Sequence, residues 1–353
     1  MLNTNLKVSK SKRKNNKYLL CRPNGGFNDT LCQIQKCIDY ANKYNRILII
    51  DKNRYGQLKN FSKFFEFENA PNIRIANKNI LQSLNLMDCY PPEMQGKINK
   101  YKTSLMNDSL LFIDGTKTIS TFNFNSNYKE NLLIHDQFGG GSLSFKLINQ
   151  ITIKKKWRLI IKKNLPFLGT KYTAIHIRNS DYRTNFKVFF NKITPQLIGK
   201  KVLLCSDDKK IASTLKWNNK ITLVSALNSK NDSELQSLID LIALGGASEL
   251  FYTNLTYGNY SGFSGLAGYL CENKKIIDQL LKESFFKKKL LEGNKGVIII
   301  KTPIGFEDLY RNFRRDYLNK SWFIKATIII LRRIHLFYPS RFIYRKFKSF
   351  GNQ

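Results

Sequence analysis

Short apolar runs alternate with an amphipathic segment near the start of the chain. Residues 18–22 form one apolar run, and residues 46–51 form a second that ends in a carboxylate, Asp51. Between them, apolar side chains recur at the spacing of one helical face: Leu31, Ile34, Ile38 and Ala41. Asn28 or Asp29 is placed to cap this helix. The pattern predicts strand, helix and strand in order, with the helix over residues 30–45 and the second strand in a buried parallel sheet.

The second half of the chain repeats this alternation more regularly. Apolar runs predict strands at residues 171–178, 201–205, 221–226 and 249–253. Amphipathic segments predict helices at residues 209–217, 233–248 and 262–272. Strands separated by helices of this length are typical of a parallel, doubly wound sheet. The chain is therefore predicted to be an α/β protein with two Rossmann-like doubly wound domains that face a cleft.

The region between the two halves has a weaker pattern. Residues 55–130 show no clear period, residues 132–135 predict a strand, and residues 146–163 predict a basic helix that ends before Pro166. We expect the domain boundary there. The predicted organisation is a basic tail at residues 1–17, a first domain at residues 18–165, a second domain at residues 166–295 and a basic extension at residues 296–353.

Charge and cysteine content narrow the class of protein. The 353 residues include 59 Lys and Arg against 25 Asp and Glu, a net charge of +34. Such an excess indicates an anionic partner: nucleic acid, acidic lipid headgroups or phosphorylated substrates. Neither the cysteines nor the histidines have zinc-binding spacing, so we expect buried, reduced thiols in a cytoplasmic protein. We expect neither a cleaved signal nor a membrane-spanning segment.

The C-terminal extension mixes basic residues with bulky apolar ones. Between residues 322 and 348, apolar runs such as Trp322-Phe323-Ile324 alternate with Lys and Arg. That mixture suits a helix at the interface of an anionic membrane, which would make the protein peripheral at the inner face of the cytoplasmic membrane. An ordinary terminal helix with a solvated charged face is the alternative.

The clearest chemical motif follows the strand predicted at residues 171–178. It places His176, Arg178 and Asp181 at fixed offsets near a carboxyl end of the sheet, where open α/β sheets bind their ligands. A planar Arg there can hold a phosphate or pyrophosphate through two parallel hydrogen bonds. The same residues also fit a buried histidine and an Arg178–Asp181 ion pair, in which Asp181 orients the guanidinium.

Further segments lie in register with this motif. A glycine loop, Asn24-Gly25-Gly26-Phe27-Asn28, precedes the first helix, and Ser206-Asp207-Asp208 follows the next strand of the second half. Asp240 lies on a predicted helix, and Ser261-Gly262-Phe263-Ser264 opens another. Together with His176-x-Arg178-x-x-Asp181, these segments resemble the GDP-fucose-dependent fucosyltransferase superfamily, over residues 20–51 and 174–270.

The resemblance implies a GT-B fold, an activity and roles for single residues. A GT-B enzyme of this kind transfers L-fucose from GDP-fucose to a glycan hydroxyl with inversion and without a metal. Arg178 would neutralise the β-phosphate of the donor, with Asp181 beside it as the second catalytic residue. Contacts to the donor would come from these residues: Gly26, Asn28, His176, Asp207, Asp208, Asp240, Ser261, Phe263 and Ser264. The acceptor would be a surface-polysaccharide or lipooligosaccharide precursor. We do not expect a nucleic acid among the partners.

The chain departs from the family pattern in ways that leave alternatives open. Asn179 stands where many members carry a second Arg, so the sugar and the subfamily stay open. No carboxylate follows the motif closely as a base; Asp29 and Asp51 are candidates, or the reaction proceeds through a loose transition state with weak base assistance. Asp207 and Asp208 also fit a helix cap, and Asp240 a solvent-facing helix position. No D-x-D motif is present, which argues against a metal-dependent transferase.

Two other classes of protein are less consistent with the sequence. Net charge alone would suit a nucleic-acid-binding protein, but the lysines are scattered and no recognition motif accompanies them. A dinucleotide oxidoreductase needs G-x-G-x-x-G after a strand, and residues 25–28 do not supply it. A transferase of the same superfamily that uses another nucleotide sugar is the nearer alternative.

Overall fold

The structure is a computed structural model that describes a defined part of the chain. The described residues are 16–52, 58–68, 70–100, 103–105, 111–113, 120–178, 185–208, 211, 222–224, 233–253, 261–286 and 296–300. They divide into two compact units, Met1–Ile151 and Thr152–Gln353. Asp181, the helix predicted at residues 209–217 apart from residue 211, and the segment at residues 322–348 lie outside the described residues.

The first unit is built on a parallel sheet. Its strands are β1 (Tyr18–Asn24), β2 (Ile47–Ile50), β3 (Phe65–Phe67), β4 (Ile73–Ile75), β5 (Cys89–Tyr90), β6 (Thr103–Leu105), β7 (Leu111–Ile113) and β8 (Leu132–Phe138). Its helices are α1 (Phe27–Lys43), α2 (Phe61–Phe64), α3 (Lys78–Leu84) and α4 (Leu143–Ile148), with a 3₁₀ turn at Pro92–Met94. Five of these strands form the parallel sheet, in the order β4-β2-β1-β8-β5.

The second unit contains a parallel sheet of the same kind. Strand β9 (Ile151–Ile153) spans the division between the units, and β10 (Thr173–Ile177), β11 (Lys201–Ser206), β12 (Thr222–Val224), β13 (Glu249–Thr253) and β14 (Gly296–Ile300) follow it. The helices are α5 (Lys155–Asn164), α6 (Phe186–Leu197), α7 (Ser233–Gly245), α8 (Gly262–Glu272) and α9 (Lys275–Leu281). The order is β12-β11-β10-β13-β14, with every pair parallel.

Both sheets are covered by helices, as the continuous apolar runs in their strands require. In the first unit, Leu20, Ile49 and Leu132 belong to one buried cluster. In the second, Ile175 and Phe251 of the sheet pack with Phe189 of α6. The described residues therefore confirm an α/β protein with parallel sheets, while the two-domain cleft stays a prediction.

Helix α1 begins earlier than the sequence pattern predicts. Gly26 takes an extended backbone at the N-cap, and its N–H donates to Oδ2 of Asp29 at 2.8 Å. This contact satisfies a backbone donor at the helix start, so Phe27 and Asn28 already lie in the first turn. The prediction that Asn28 or Asp29 is the cap is therefore wrong: Gly26 is the N-cap, and Asp29 lies in the first turn and accepts from its N–H.

The basic helix predicted at residues 146–163 is interrupted in the structure. Helix α4 ends at Ile148, Ile151–Ile153 form strand β9 with every residue buried, and a new helix starts at Lys155. β-Branched residues favour a strand where they can be buried on both sides, and this outweighs the helical preference of the flanking lysines.

The two predicted domain limits also differ from the observed units. The contacts divide the chain after Ile151, before α5, whereas the sequence pattern places the limit at residue 165. Strand β14 pairs with β13, so the segment predicted as an extension begins with a strand of the second sheet. Neither limit could be located from periodicity alone, because both depend on which sheet a short strand joins.

Candidate functional site

In the second sheet, the order in which the chain adds strands reverses between β10 and β13. From β10 the chain proceeds outward through β11 and β12 on one side, and through β13 and β14 on the other. Open parallel sheets bind ligands outside the carboxyl ends of the strands at such a reversal. The residues at the ends of β10, β11 and β13 are therefore the first place to look for a site.

His176 lies next to last on β10 and is held in a fixed orientation. It is 7% exposed, and its Nδ1 is 2.6 Å from the hydroxyl oxygen of Ser264 on α8. The imidazole also packs against the Phe263 ring, with centroids 5.3 Å apart. The structure thus brings together three of the predicted site residues, and the first turn of α8 positions the histidine ring.

The electrostatics of His176 favour its neutral form. Burial lowers its pKa to about 4, the nearby Asp207 opposes this effect, and the Arg178 cation adds to it. The imidazole is therefore uncharged at neutral pH. A neutral ring held by Ser264 through one nitrogen can hydrogen-bond a ligand through the other without adding charge.

Arg178 and Asp207 follow neighbouring strands at the same level of the sheet. Ile177, the last residue of β10, is in register with Ser206, the last residue of β11, and the two charged residues directly follow them. Ser206 accepts a hydrogen bond from the Asp208 N–H at 3.1 Å through its hydroxyl, which tightens the turn after β11. This hydrogen bond lies within the segment itself, so a helix cap and ligand contact by Asp207 and Asp208 both stay predictions.

Asp240 lies on α7 and is partly buried beside β11. Its Oδ1 accepts from the Gln236 amide at 2.7 Å, one helical turn earlier. Burial raises the pKa of Asp240 to about 6, and hydrogen bonds from Gln236 and the Cys205 thiol reduce that rise. The side chain is partly buried and hydrogen-bonded, so the predicted alternative of a fully solvent-facing helix position does not describe it.

We expect Asp240→Asn to stabilise the ligand-free protein at pH 7.5. The pKa of this carboxyl is higher in the folded chain than in the unfolded one, so its ionisation costs stability as pH rises from about 4 to above 6. Removing the charge should raise the free energy of unfolding by on the order of 2 kcal/mol. Urea titrations at pH 7.5 and pH 4 test this: the gain should vanish at pH 4, where Asp240 is already protonated. An equal gain at both pH values would contradict the electrostatic explanation.

Helix α8 presents its N-terminus at the same edge. Ser261 is its N-cap, with no side-chain cap hydrogen bond, and no acidic residue lies in the first turn. Backbone N–H groups at such a terminus favour an anion. Ser261 and Ser264 are both buried, the latter against His176. Ser264 was predicted to contact the sugar donor; in the structure its hydroxyl is hydrogen-bonded to His176.

The predicted site residues of the first unit have structural contacts. Asn28 is 3% exposed; its amide donates to the Gly141 carbonyl at 3.1 Å and accepts from the Ser144 hydroxyl at 2.6 Å. Gly26 is engaged by Asp29, as described above. A Cβ at Gly140 would lie 2.6 Å from Oδ1 of Asp29, and a Cβ at Gly25 would lie 2.8 Å from its Oδ2, so the backbone approaches that carboxylate closely at both glycines. Donor contact by Gly26 and Asn28 stays a prediction.

Asp51, the other candidate base, is paired with a buried cation. Its Oδ2 accepts from Nε of Arg22 at 2.7 Å, where Arg22 is 1% exposed and Asp51 15% exposed. Nη1 of Arg22 donates to the Ile98 carbonyl at 2.7 Å. Breaking such a pair exposes a buried charge to an apolar environment. The geometry therefore favours a structural role for Asp51 over catalysis.

Sequence reasoning missed two residues of this site. Cys205 and Gln236 both hydrogen-bond Asp240, one from β11 and the other from its own helix. The four-residue spacing of Gln236 and Asp240 is a signal for the second contact. No comparable signal identifies Cys205, because its proximity to Asp240 depends on how α7 packs on the sheet.

The described ranges contain neither a metal-binding cluster nor a membrane-spanning helix. Within them, no group of His, Cys, Asp or Glu side chains is arranged to hold a metal ion. In the same part of the chain, no helix has the length and apolar character needed to cross a bilayer. All six cysteines are buried and free of disulfides.

Comparison with known proteins gives a likeness of fold. No family model matches the sequence, and no curated protein matches it. Among solved structures, NodZ α-1,6-fucosyltransferase soaked with GDP-fucose has a TM-score of 0.50 at 16% identity, covering 72% of this chain and 92% of its own. Fucosyltransferase NodZ from Bradyrhizobium has a TM-score of 0.50 at 14% identity with the same coverage. The chain therefore shares the α/β fold of these fucosyltransferases.

Proposed function

We propose that this protein is a GT-B glycosyltransferase that transfers L-fucose from GDP-fucose to a glycan hydroxyl with inversion. The observation that carries the proposal is the contact of His176, near the end of β10, with Ser264 in the first turn of α8, with Arg178 directly after the strand. A guanidinium and a helix N-terminus at one strand edge suit a diphosphate. The fold shared with NodZ, whose structure was obtained after soaking with GDP-fucose, supports the choice of donor.

In the proposed reaction, Arg178 stabilises the leaving group. Negative charge accumulates on the GDP β-phosphate as the bond to the sugar breaks, and a fixed cation is worth more in that transition state than in the ground state. His176, neutral and held by Ser264, would donate or accept one hydrogen bond at the phosphate or ribose. Asp181 would orient Arg178.

Asp240 would hold the nucleoside in this scheme. Its carboxyl is partly buried and has its pKa raised by burial, so the fold alone would be more stable with an uncharged residue there. A residue that costs stability in the absence of ligand is a candidate for ligand contact. Asp207 and Asp208 would accept hydrogen bonds from the ribose or the base.

The acceptor side of the proposal concerns the first unit and the membrane. We propose a surface-polysaccharide or lipooligosaccharide precursor as acceptor, bound by the first domain. The net charge of +34 would bring the enzyme to an anionic inner face of the cytoplasmic membrane. The base is unassigned: Asp29 and Asp51 both have the structural contacts described above, which favours a loose, oxocarbenium-like path.

We expect fucosyl transfer or donor hydrolysis to continue in excess EDTA. Arg178 and the N-terminus of α8 would supply the positive charge that a divalent ion supplies in metal-dependent transferases. GDP release from GDP-fucose, measured with and without EDTA, tests this, with UDP-sugars as the matched control. Complete loss on chelation and recovery with Mn²⁺ would contradict the metal-independent proposal; release from a UDP-sugar instead would contradict the donor.

A further inference from the structure

Helix α5 is anchored to the second unit through one of its faces. Ile161 is fully buried, Nη1 of Arg158 donates to the Leu281 carbonyl at 3.4 Å, and Lys162 pairs with Glu283. These contacts fix the helix against the end of α9. They also fix which side chains point away from the body of the unit.

The opposite face combines three lysines with an apolar residue. Its members are all exposed: Lys155, Lys156, Leu159 and Lys163. At about 100° per residue they fall within an arc of roughly 100°, with Leu159 between the lysines. Leu159 is 58% exposed. We call this set the lysine–leucine face.

Nζ of Lys156 lies 4.6 Å from the centroid of the Trp157 ring, but this contact does not account for three lysines around an exposed leucine. Lys154 is the N-cap, Lys155 and Lys156 follow in the first turn, and no acidic residue occurs there. Cations at a helix N-terminus oppose the helix dipole, and Asp or Glu would be favoured at these positions. An exposed leucine in the centre of the face leaves apolar surface in contact with water, which is unfavourable. Both features suit a partner that is anionic at its surface and apolar just beneath it.

We propose that the lysine–leucine face docks onto an anionic lipid bilayer. The three lysines would contact headgroup phosphates while their aliphatic stems and Leu159 enter the interface. The helix has ten residues, about 15 Å, and would lie along the surface. A nucleic acid would satisfy the lysines but offers no apolar layer for Leu159, so the bilayer fits the whole face. The proposal is independent of the donor and of residues 322–348.

A label at position 159 tests the contact locally in the full-length chain. The native cysteines are all buried, so a cysteine introduced by Leu159→Cys can be coupled selectively to the environment-sensitive dye NBD. Leu86→Cys is the matched control, because Leu86 is 86% exposed and lies in the other unit. With phosphatidylglycerol vesicles, the label at 159 should shift to the blue and be quenched by nitroxide lipids. With phosphatidylcholine vesicles, or in high salt, it should not.

Charge-removal variants give the second measurement. Replacing Lys155, Lys156 and Lys163 with Gln should lower the vesicle partition coefficient at least about tenfold, since each lysine near an anionic surface contributes several-fold. The control replaces three exposed lysines of the first unit with Gln: Lys78, Lys97 and Lys129. It should change partitioning less than about twofold. Equal weakening by both triples, a label at 159 that responds no more than one at 86, or a response to oligonucleotides alone would each overturn the proposal.

Discussion

Arg178→Ala should abolish most of the transferase activity and leave the fold intact. Deleting one preorganised group that stabilises developing charge typically costs about 100-fold or more in turnover. Arg178 follows the end of β10 and is not part of the buried core, so its removal should change the thermal midpoint little. Turnover of GDP-fucose and the unfolding midpoint, measured on the same preparation, test the two halves of this expectation.

Arg178→Lys separates shape from charge at this position. A lysine keeps the positive charge but lacks the planar fork that binds two phosphate oxygens at once. We therefore expect little recovery of turnover relative to Arg178→Ala. Near-native turnover in the alanine variant would mean that the motif is structural in this protein, and recovery by lysine would mean that a point charge suffices.

Asp51→Ala should lower the free energy of unfolding by about 3 kcal/mol, because it leaves the buried Arg22 without the carboxylate that neutralises it. Asp39→Ala is the matched control. Asp39 pairs with Lys146 at 2.5 Å, but both side chains are exposed, 38% and 58%, and such pairs contribute less than about 1 kcal/mol. Chemical denaturation of both variants gives the comparison directly.

A second substitution, Asp51→Asn, distinguishes a structural role for Asp51 from a catalytic one. Asp51→Asn keeps a hydrogen-bond acceptor for Arg22 but cannot take a proton from an acceptor hydroxyl. General bases contribute roughly 100-fold or more to turnover. We expect turnover per folded molecule to stay within a fewfold of the parent. Unchanged stability with a 100-fold loss of turnover would instead identify Asp51 as the base.

The parts of the fold that could be predicted are those whose pattern reflects a single environment. Every residue of strand β10 is buried, as expected for an interior strand of a parallel sheet, and the apolar residues that recur at helical spacing in α1 are all buried. Helix α6 was not predicted. It buries Phe189, Phe190 and Ile193 on one face, but Pro195 lies within it, and proline usually ends a helix.

Prediction of the site was limited in a similar way. His176, Arg178 and Asp240 could be selected because their residue types and offsets from strands and helices carry the chemistry. The hydrogen bond between His176 and Ser264 joins residues 88 positions apart, and the contact of Cys205 with Asp240 joins β11 to α7. Such pairings depend on how helices pack on the sheet, which local periodicity does not encode.

The most direct test of the proposed donor is thermal unfolding of the full-length protein with GDP, UDP, CMP or ADP. A ligand that binds only the native state raises its stability by mass action, about 2.7 kcal/mol at a concentration 100 times Kd. We predict a clear rise of the midpoint with GDP alone, reduced in Arg178→Ala and in Asp240→Asn. A rise with UDP or CMP but not with GDP would contradict the fucose donor, and a rise only with oligonucleotides would contradict the transferase itself.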